Sequence, residues 1–428
     1  MNLQTLSYIT LLIYFHHFSA NRDIIYYISL YTISWRYAMY FLFIRIANST
    51  LDLPWALAEL GEQVKVYGAA EFNPVYPPAA EEFDKLDAFM SEHHFDALIS
   101  YLFVPEISDL CQKHNLPYIG WVYDSPLSTL FHPTVRNPCN YLFIFDRAEY
   151  EYMKCMDIPH LYYLPLGVNL SRTGALNITA EDETNFNCDI SFIGNLYEYN
   201  SYNRFIRLFP AEVAAELKLY LLDNLCNWHK AKPWPRISRR TSEYMAQTFG
   251  NDVLNHGHMD LDLFLGITFL SKKLAEMDRI TVLNTLAQQF KVDLYTRSDP
   301  SFLSNIQVHP AVSYYSSMNK IFYLSRINLN ITQPSIETGL PQRILDIMGS
   351  GGFCLSNYQE EIDDYFIIGK EIEVFRDLEE LKEKTSYYLT HEEERLQIAI
   401  NGYRRIREDF SYLHQLKKLL NTVKEDLA

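Results

Sequence analysis

From Met39 onward, short apolar runs alternate with longer segments whose apolar positions recur every three to four residues. This predicts strands alternating with helices. The predicted strands are Tyr40–Ile46, Gln63–Tyr67, Phe95–Phe103, Tyr118–Tyr123, Tyr141–Phe145 and Leu161–Leu164. Helices are expected at Thr50–Leu60 (closed by Gly61), Ala80–His94, Glu106–His114 and Glu149–Met156. Strands that are apolar throughout and joined by helices imply βαβ units in a parallel sheet, hence a doubly wound, Rossmann-like domain over residues 39–170. Polar, aperiodic Ser171–Phe186 reads as a linker.

The alternation then begins again. Asp189–Ile193 is a strand running into Gly194-Asn195. Residues 202–277 read as a helical insertion broken by prolines at Lys232–Arg236. After it come helix Arg279–Phe290, strand Val292–Thr296, helix Met318–Ser325 and strand Ile327–Ile331. Leu340–Gly352 is an amphipathic helix stopped by glycines, with Ile344, Ile347 and Met348 on one face and Arg343 and Asp346 neighbours three residues apart. Strands Phe353–Ser356 and Ile372–Phe375 follow, then charged helical stretches Leu378–Leu389 and Glu392–Leu427. The second domain is thus 187–410, of the same α/β class, with a tail at 411–428.

Residues 1–38 stand apart. Their runs are rich in Tyr, Ile and Leu, but Arg22, Asp23 and Arg36 interrupt them, so neither makes a clean membrane span. No basic n-region or small-residue cleavage site marks a secretory signal. Met39 opens a strand of the kind that starts many α/β domains, and the reading favours it as the native start. Membrane association is open only to residues 1–38.

Composition narrows the function classes. The chain has 428 residues, 48% hydrophobic and 15% aromatic, enough for large cores. A net charge of -16 without a basic block argues against nucleic acid as a partner. The six cysteines are scattered without a CxxC pair, which fits reduced thiols in a cytoplasmic protein and neither a disulfide framework nor a zinc site. No GxxxxGK[ST], no GxGxxG after a first strand, no HExxH and no GxSxG is present. His93-His94 and His256-Gly-His258 read as surface or packing residues.

In doubly wound sheets, ligands bind beyond the carboxyl ends of the strands. In the first domain these ends are Asp124-Ser125-Pro126, Asp146-Arg147 and Pro165-Leu166-Gly167. Asp124, among Trp121, Tyr123 and Pro126, is the candidate general base, whereas Asp146 reads as a helix cap. In the second domain they are Gly194-Asn195, Thr296-Arg297-Ser298, Asn330-Ile331-Thr332 and Ser356-Asn357, with Arg204 and Arg207 on the helix after the first. Polar groups at four strand ends, with backbone amides and arginines, suit a ligand carrying hydroxyls and a diphosphate. The candidate nucleotide-sugar-binding residues are Gly194, Asn195, Arg204, Thr296, Arg297, Asn330, Arg343, Asp346, Gly351 and Gly352. No residue set suggests a metal.

The segment INLNIT…GLPQRILDIMGSGGFCLSNYQEEIDDYF resembles the C-terminal domain of CgeB-like, spore-maturation-type group 1 glycosyltransferases. PYIGWVYDSP…NYLFIFDRAEY…YLPLGVN resembles the domain that precedes it in bacterial proteins. The resemblance spans about residues 39–410. It implies a GT-B fold: two Rossmann-like domains facing a cleft, the second holding a nucleotide sugar, with Tyr412–Leu427 crossing back onto the first. It implies metal-independent transfer, with the nucleotide sugar as substrate and no cofactor, to a glycan, lipid-linked or protein acceptor in the cytoplasm or at the inner membrane face. In the family's Glu-x7-Glu motif, Asp346 falls at the second Glu, expected to meet the ribose. Thr338 falls at the first, with Glu337 beside it. The resemblance leaves two alternatives open: a nucleotide-sugar epimerase of the same fold, and a non-catalytic nucleotide- or sugar-binding protein.

Overall fold

The structure, a computed structural model, describes residues 38–47, 49–72, 79–174, 176–249 and 259–427. Residues 1–37 lie outside the described residues, as do His256 and His258.

The first sheet contains β1 (Tyr40–Ile46), β2 (Gln63–Phe72), β3 (Ala97–Tyr101), β4 (Tyr118–Val122), β5 (Asn140–Ile144) and β6 (Leu161–Tyr163). All pairs are parallel, in the order β2-β1-β3-β4-β5-β6. Every residue of β3, β4 and β5 is buried, as a sheet covered by helices on both faces requires. The second sheet contains β7 (Ile190–Ile193), β8 (Val292–Thr296), β9 (Gln307–Pro310), β10 (Ile327–Asn330), β11 (Cys354–Asn357) and β12 (Glu373–Phe375). Its order is β12-β11-β10-β7-β8-β9, also all parallel. The chain reverses direction across the sheet between β7 and β10, the switch point where a crevice opens.

Four features differ from the sequence reading, each for a local reason. The linker carries two short helices, Leu170–Thr173 and Ala180–Phe186; the second starts at a capping box between Thr179 and Asp182. Strand β9 is an exposed edge strand, QVHP, and so lacks the apolar alternation that would reveal it. The helix expected from Arg279 begins at Lys272 and continues a π-helical turn at Ile267–Ser271, placing Arg279 mid-helix. The long tail is two helices, Glu392–Asp409 and Tyr412–Leu427, broken at Phe410-Ser411.

That break serves the packing. Val168, just after β6, donates to the Phe410 carbonyl at 2.9 Å and accepts from the Tyr412 N–H at 2.9 Å, pinning the turn to the first domain. The last helix then lies along helix Asp52–Glu59, and Lys424 pairs with Glu62 at 2.7 Å. One hydrophobic core runs through both units, joining Ile44 and Trp121 to Ile344, Ile406 and Leu419. Leu419→Ala, at a fully buried position of the last helix, should lower the unfolding free energy by about 2–5 kcal/mol in urea denaturation. A change under 1 kcal/mol (roughly, the exposed-site range) would show that the helix is dispensable to the first domain.

Candidate active site in the cleft

The carboxyl ends of the two sheets face each other. At the switch point of the second sheet, the Gly194 loop after β7 and Asn330 at the end of β10 meet the helix Gln342–Gly349. Arg343 reaches from that helix to donate to the Asn330 Oδ1 at 3.3 Å and stacks over the Phe192 ring at 5.0 Å. Glycine at 194 leaves room for that side chain: a Cβ would stand 2.7 Å from the Arg343 guanidinium, which would have to shift. Asn330 is held by its own amide, which donates to Thr332 at 2.9 Å and Ser356 at 3.0 Å.

A second guanidinium converges on this place. Arg279, buried in the helix Lys272–Ala287, donates to the carbonyls of Asn195 and Ile331, and its Nε–H has no partner. It lies over the Phe192 and Tyr197 rings at 5.3 Å and 4.4 Å. Burial lowers the pKa of both arginines; the Arg279 charge adds to this at Arg343, which is pulled down to about 10. Among the described residues, no carboxylate forms an ion pair with either one. The helix Gln342–Gly349 has Pro341 at its N-cap and no side chain capping its first amides. Two unneutralised cations beside open helix-terminal N–H groups make a receptor for an anion.

Asp124 follows β4 in the first domain, and the second-domain group whose charge acts on it is Lys272. It is open to solvent, yet the enclosing cleft pushes its carboxyl up, opposed only by the Lys272 charge from across the cleft. Glu337, in the loop after β10, is half-buried in a small recess with Trp228, Lys232, Thr332 and Asn357. Burial, then the Asp146 charge, raises its carboxyl to about 7.

The other sequence candidates are placed as follows. Thr296 ends β8, buried, and its hydroxyl accepts from the Ser298 N–H at 3.0 Å; the Ser298 hydroxyl in turn holds the Leu196 N–H at 2.8 Å. Asn195 contributes its carbonyl, while its residue is exposed. Arg297 is exposed, and Arg204 is exposed with its guanidinium over the Phe205 ring at 4.8 Å. No hydrogen bond or ion pair brings either to Arg343 among the described residues. Gly351 and Gly352 precede β11, so they lie at the amino edge of the sheet, opposite the cleft; a Cβ on Gly352 would meet the Phe322 carbonyl at 2.4 Å. Gly352 is required by that close approach, and Gly351 by its positive φ of 79° at the end of the helix. By sequence Arg279 is the first residue of a helix and carries no sign of a site; the fold places it mid-helix and buries it.

Asp346 does not pair with Arg343. Its Oδ1 accepts from Arg172 at 3.1 Å and from Gln342 at 3.3 Å. Arg172 also donates to Asp52 at 3.1 Å, Asn319 at 2.9 Å and the Tyr314 hydroxyl at 2.6 Å, and Tyr314 donates to Asp52 at 2.7 Å. This node joins the first domain (Asp52), the connecting segment (Arg172) and the second domain (Tyr314, Asn319, Asp346). Burial, opposed by Arg172, leaves Asp346 raised to about 6. Thr338 is likewise turned away from the cleft: its hydroxyl donates to Asp146 at 2.8 Å and lies 2.8 Å from Glu361. Of the two residues at the first Glu position of the motif, Glu337 is the one that presents a carboxyl to open space.

Two facing Rossmann-like domains of six parallel strands each, with a site at the switch point of the second, define the GT-B fold. Residues 275–421 match the family described as glycosyl transferase-like. The chain is similar to a glycosyltransferase from Rickettsia africae ESF-5, with TM-score 0.54 and 12% identity over 92% of this chain and 99% of that one. It is similar to Anabaena Alr3699/HepE in complex with UDP, with TM-score 0.52 and 10% identity over 90% of this chain and 100% of that one. The same Anabaena protein with UDP and glucose gives TM-score 0.50 and 9% identity over 90% and 100%. These likenesses establish the fold. No curated protein matches the sequence. No described helix is long and apolar enough to cross a membrane.

Two predictions follow from the buried charges. Arg172→Leu leaves Asp52 and Asp346 buried without their cation, and should cost about 3–5 kcal/mol of stability in chemical denaturation. A second substitution, Asp346→Asn, should restore part of that loss. The second prediction concerns pH. Asp346 and Asp278 are raised to about 6, and Glu337 and Glu361 to about 7, all chiefly by burial. The folded chain therefore holds protons that the unfolded chain has released, so this stabilisation is full at low pH and is lost as pH rises through 6 and 7. Asp182, pulled down to about 2 by Lys320, acts in the opposite sense only below that window. The calorimetric melting temperature should fall between pH 5 and pH 8 (roughly, the window set by those groups); a rising curve would refute the assignment.

Proposed function

We propose that this protein is a glycosyltransferase that binds a nucleotide sugar in the cleft and passes the sugar to an acceptor hydroxyl. The observation that carries the reading is the pair of guanidiniums, Arg279 and Arg343, converging without a carboxylate partner at the Gly194 loop. Such charges favour an anion with two or more oxygens, and a diphosphate suits the fork geometry of guanidinium groups. In transfer, the acceptor oxygen bonds to the anomeric carbon while the bond from that carbon to the diphosphate breaks. Negative charge then grows on the leaving diphosphate, and the two guanidiniums and the helix amides stabilise it without a metal.

In this reading Asp124 takes the acceptor proton, a role supported by the enclosure that raises its basicity. In this reading Glu337, which lines the recess beside Thr332 and Asn357, accepts hydrogen bonds from donor-sugar hydroxyls. Asn330, Gly194, Asn195 and Thr296 shape the floor beneath the nucleotide. The free state of all six cysteines supports a cytoplasmic setting. Membership of the CgeB-like bacterial group and a glycan, lipid-linked or protein acceptor belong to this proposal.

The test is a thermal-shift panel of uridine, guanosine, thymidine and cytidine diphosphates at millimolar concentration. At least one should raise the melting temperature, as a ligand near 100 times its Kd stabilises by about 2.7 kcal/mol. Arg279→Ala and Arg343→Ala should each abolish that rise with circular dichroism unchanged, while exposed Arg204→Ala should keep it. If none of the four nucleotides stabilises the native protein, the donor-site reading fails.

A further inference from the structure

Asp146 follows β5 and reads in the sequence as a helix cap. It does cap: Oδ1 accepts from the Ala148 N–H at 3.1 Å. Capping, however, is one of five bonds to this wholly buried carboxylate. Oδ1 also accepts from the Thr338 N–H at 3.2 Å and the Thr338 hydroxyl at 2.8 Å. Oδ2 accepts from the Glu337 N–H at 2.8 Å and the Ser125 hydroxyl at 2.8 Å. Three donors come from the second domain and two from the first. No cation pairs with Asp146 among the described residues. The neighbouring Gly339 lets the two backbones touch, since a Cβ there would stand 2.9 Å from the Asp146 Cα.

We propose that Asp146 is a positioning residue: its carboxylate clamps the loop carrying Glu337 against the loop carrying Asp124, so that the donor-side and acceptor-side carboxyls face the substrate at one set separation. The inference rests on the glycosyl-transfer reading of the cleft. Its physical basis is that one buried acceptor satisfies N–H groups on both sides of the domain boundary, so opening the cleft leaves them unpaired.

The clamp also couples charge. Asp146 raises the Glu337 carboxyl through space. The other groups around Glu337 are Glu360, which also raises it, the Trp234 backbone, which lowers it, the Tyr220 phenol, and Lys230 and Lys232 lining the same recess. Asp146→Asn removes the charge with little change of shape. The Glu337 titration should then move down, a response that a merely structural contact would not produce.

The experiment uses the full chain with carbon-13 at the glutamate carboxyls. The Glu337 resonance is identified by its loss in Glu337→Gln. Hydrogen exchange of the segment holding the Glu337 and Thr338 amides is followed by mass spectrometry. In Asp146→Asn the Glu337 midpoint should fall by about one pH unit, and exchange at the two amides should quicken about tenfold. Thr338→Val removes the hydroxyl's contacts to Asp146, Glu361 and the Ala148 N–H but neither charge; it should quicken exchange and leave the midpoint in place, and it keeps the test open if Asp146→Asn fails to fold. An unchanged midpoint in Asp146→Asn overturns the proposal, as does unchanged exchange in Thr338→Val. Uridine diphosphate affinity is read in parallel: it should be the same in native and variant proteins, because Arg279 and Arg343 are untouched. Failure of the native protein to bind any nucleoside diphosphate would sink the transfer reading and leave the titration result to decide the clamp.

Discussion

One guanidinium, that of Arg172, sits where three parts of the chain meet, and the closed arrangement depends on it. Asp52 and Asp346 are both buried, and neither could stay so beside the other without a cation between them. Arg172 supplies that cation from the segment linking the domains. It also takes in Tyr314 and Asn319, so all of its polar edges are used. The Asp52 end fixes the helix after β1, the Asp346 end fixes the helix Gln342–Gly349, and with it the direction in which Arg343 points. The geometry around Arg343 is therefore set partly by an ion network to which Arg343 does not itself belong.

The contrast between Arg172 and the pair Arg279–Arg343 carries the functional argument. Arg172 is matched by two carboxylates and a phenol. Arg279 and Arg343 are matched by carbonyls, an amide, aromatic faces and the Tyr197 phenol, while Asp278 and Asp346 act on them through space without forming an ion pair. A chain with net charge -16 has ample acid to pair with every arginine. Leaving two cations unneutralised at a strand-end crevice is a local exception, and local exceptions to charge pairing mark places where a ligand completes the structure.

Much of the fold was legible in the sequence. Apolar runs such as YIGWV and NYLFI carry their own length and both-sided burial, because a parallel sheet must be apolar on both faces. The polar ends of β7, β8, β10 and β11 were legible for a similar reason: a polar residue that ends such a run has to leave the core. What escaped was whatever lacked that contrast. Strand β9 is exposed, the linker helices are short and polar, and the start of the helix Lys272–Ala287 is hidden by a π-turn. The meeting of Gly194, Asn330 and Arg343 was legible, because they lie where strand ends and a helix start come together.

Spacing along the chain determines which residues share an element, and so placed Arg343 and Asp346 on one helix and Glu337 beside Thr338. It does not determine which way each side chain turns when two domains close. Asp346 turned to Arg172, Thr338 turned to Asp146 and Glu361, and Glu337 was left lining a recess beside Trp228 and Lys232. Arg279 joined the site from a helix that reads as ordinary surface. Asp146, a cap by sequence, became the acceptor for donors lying about 190 residues further along the chain. These outcomes depend on hydrogen bonds between residues far apart in sequence. Burial makes such bonds obligatory once the domains meet, and only the tertiary structure decides who the partners are.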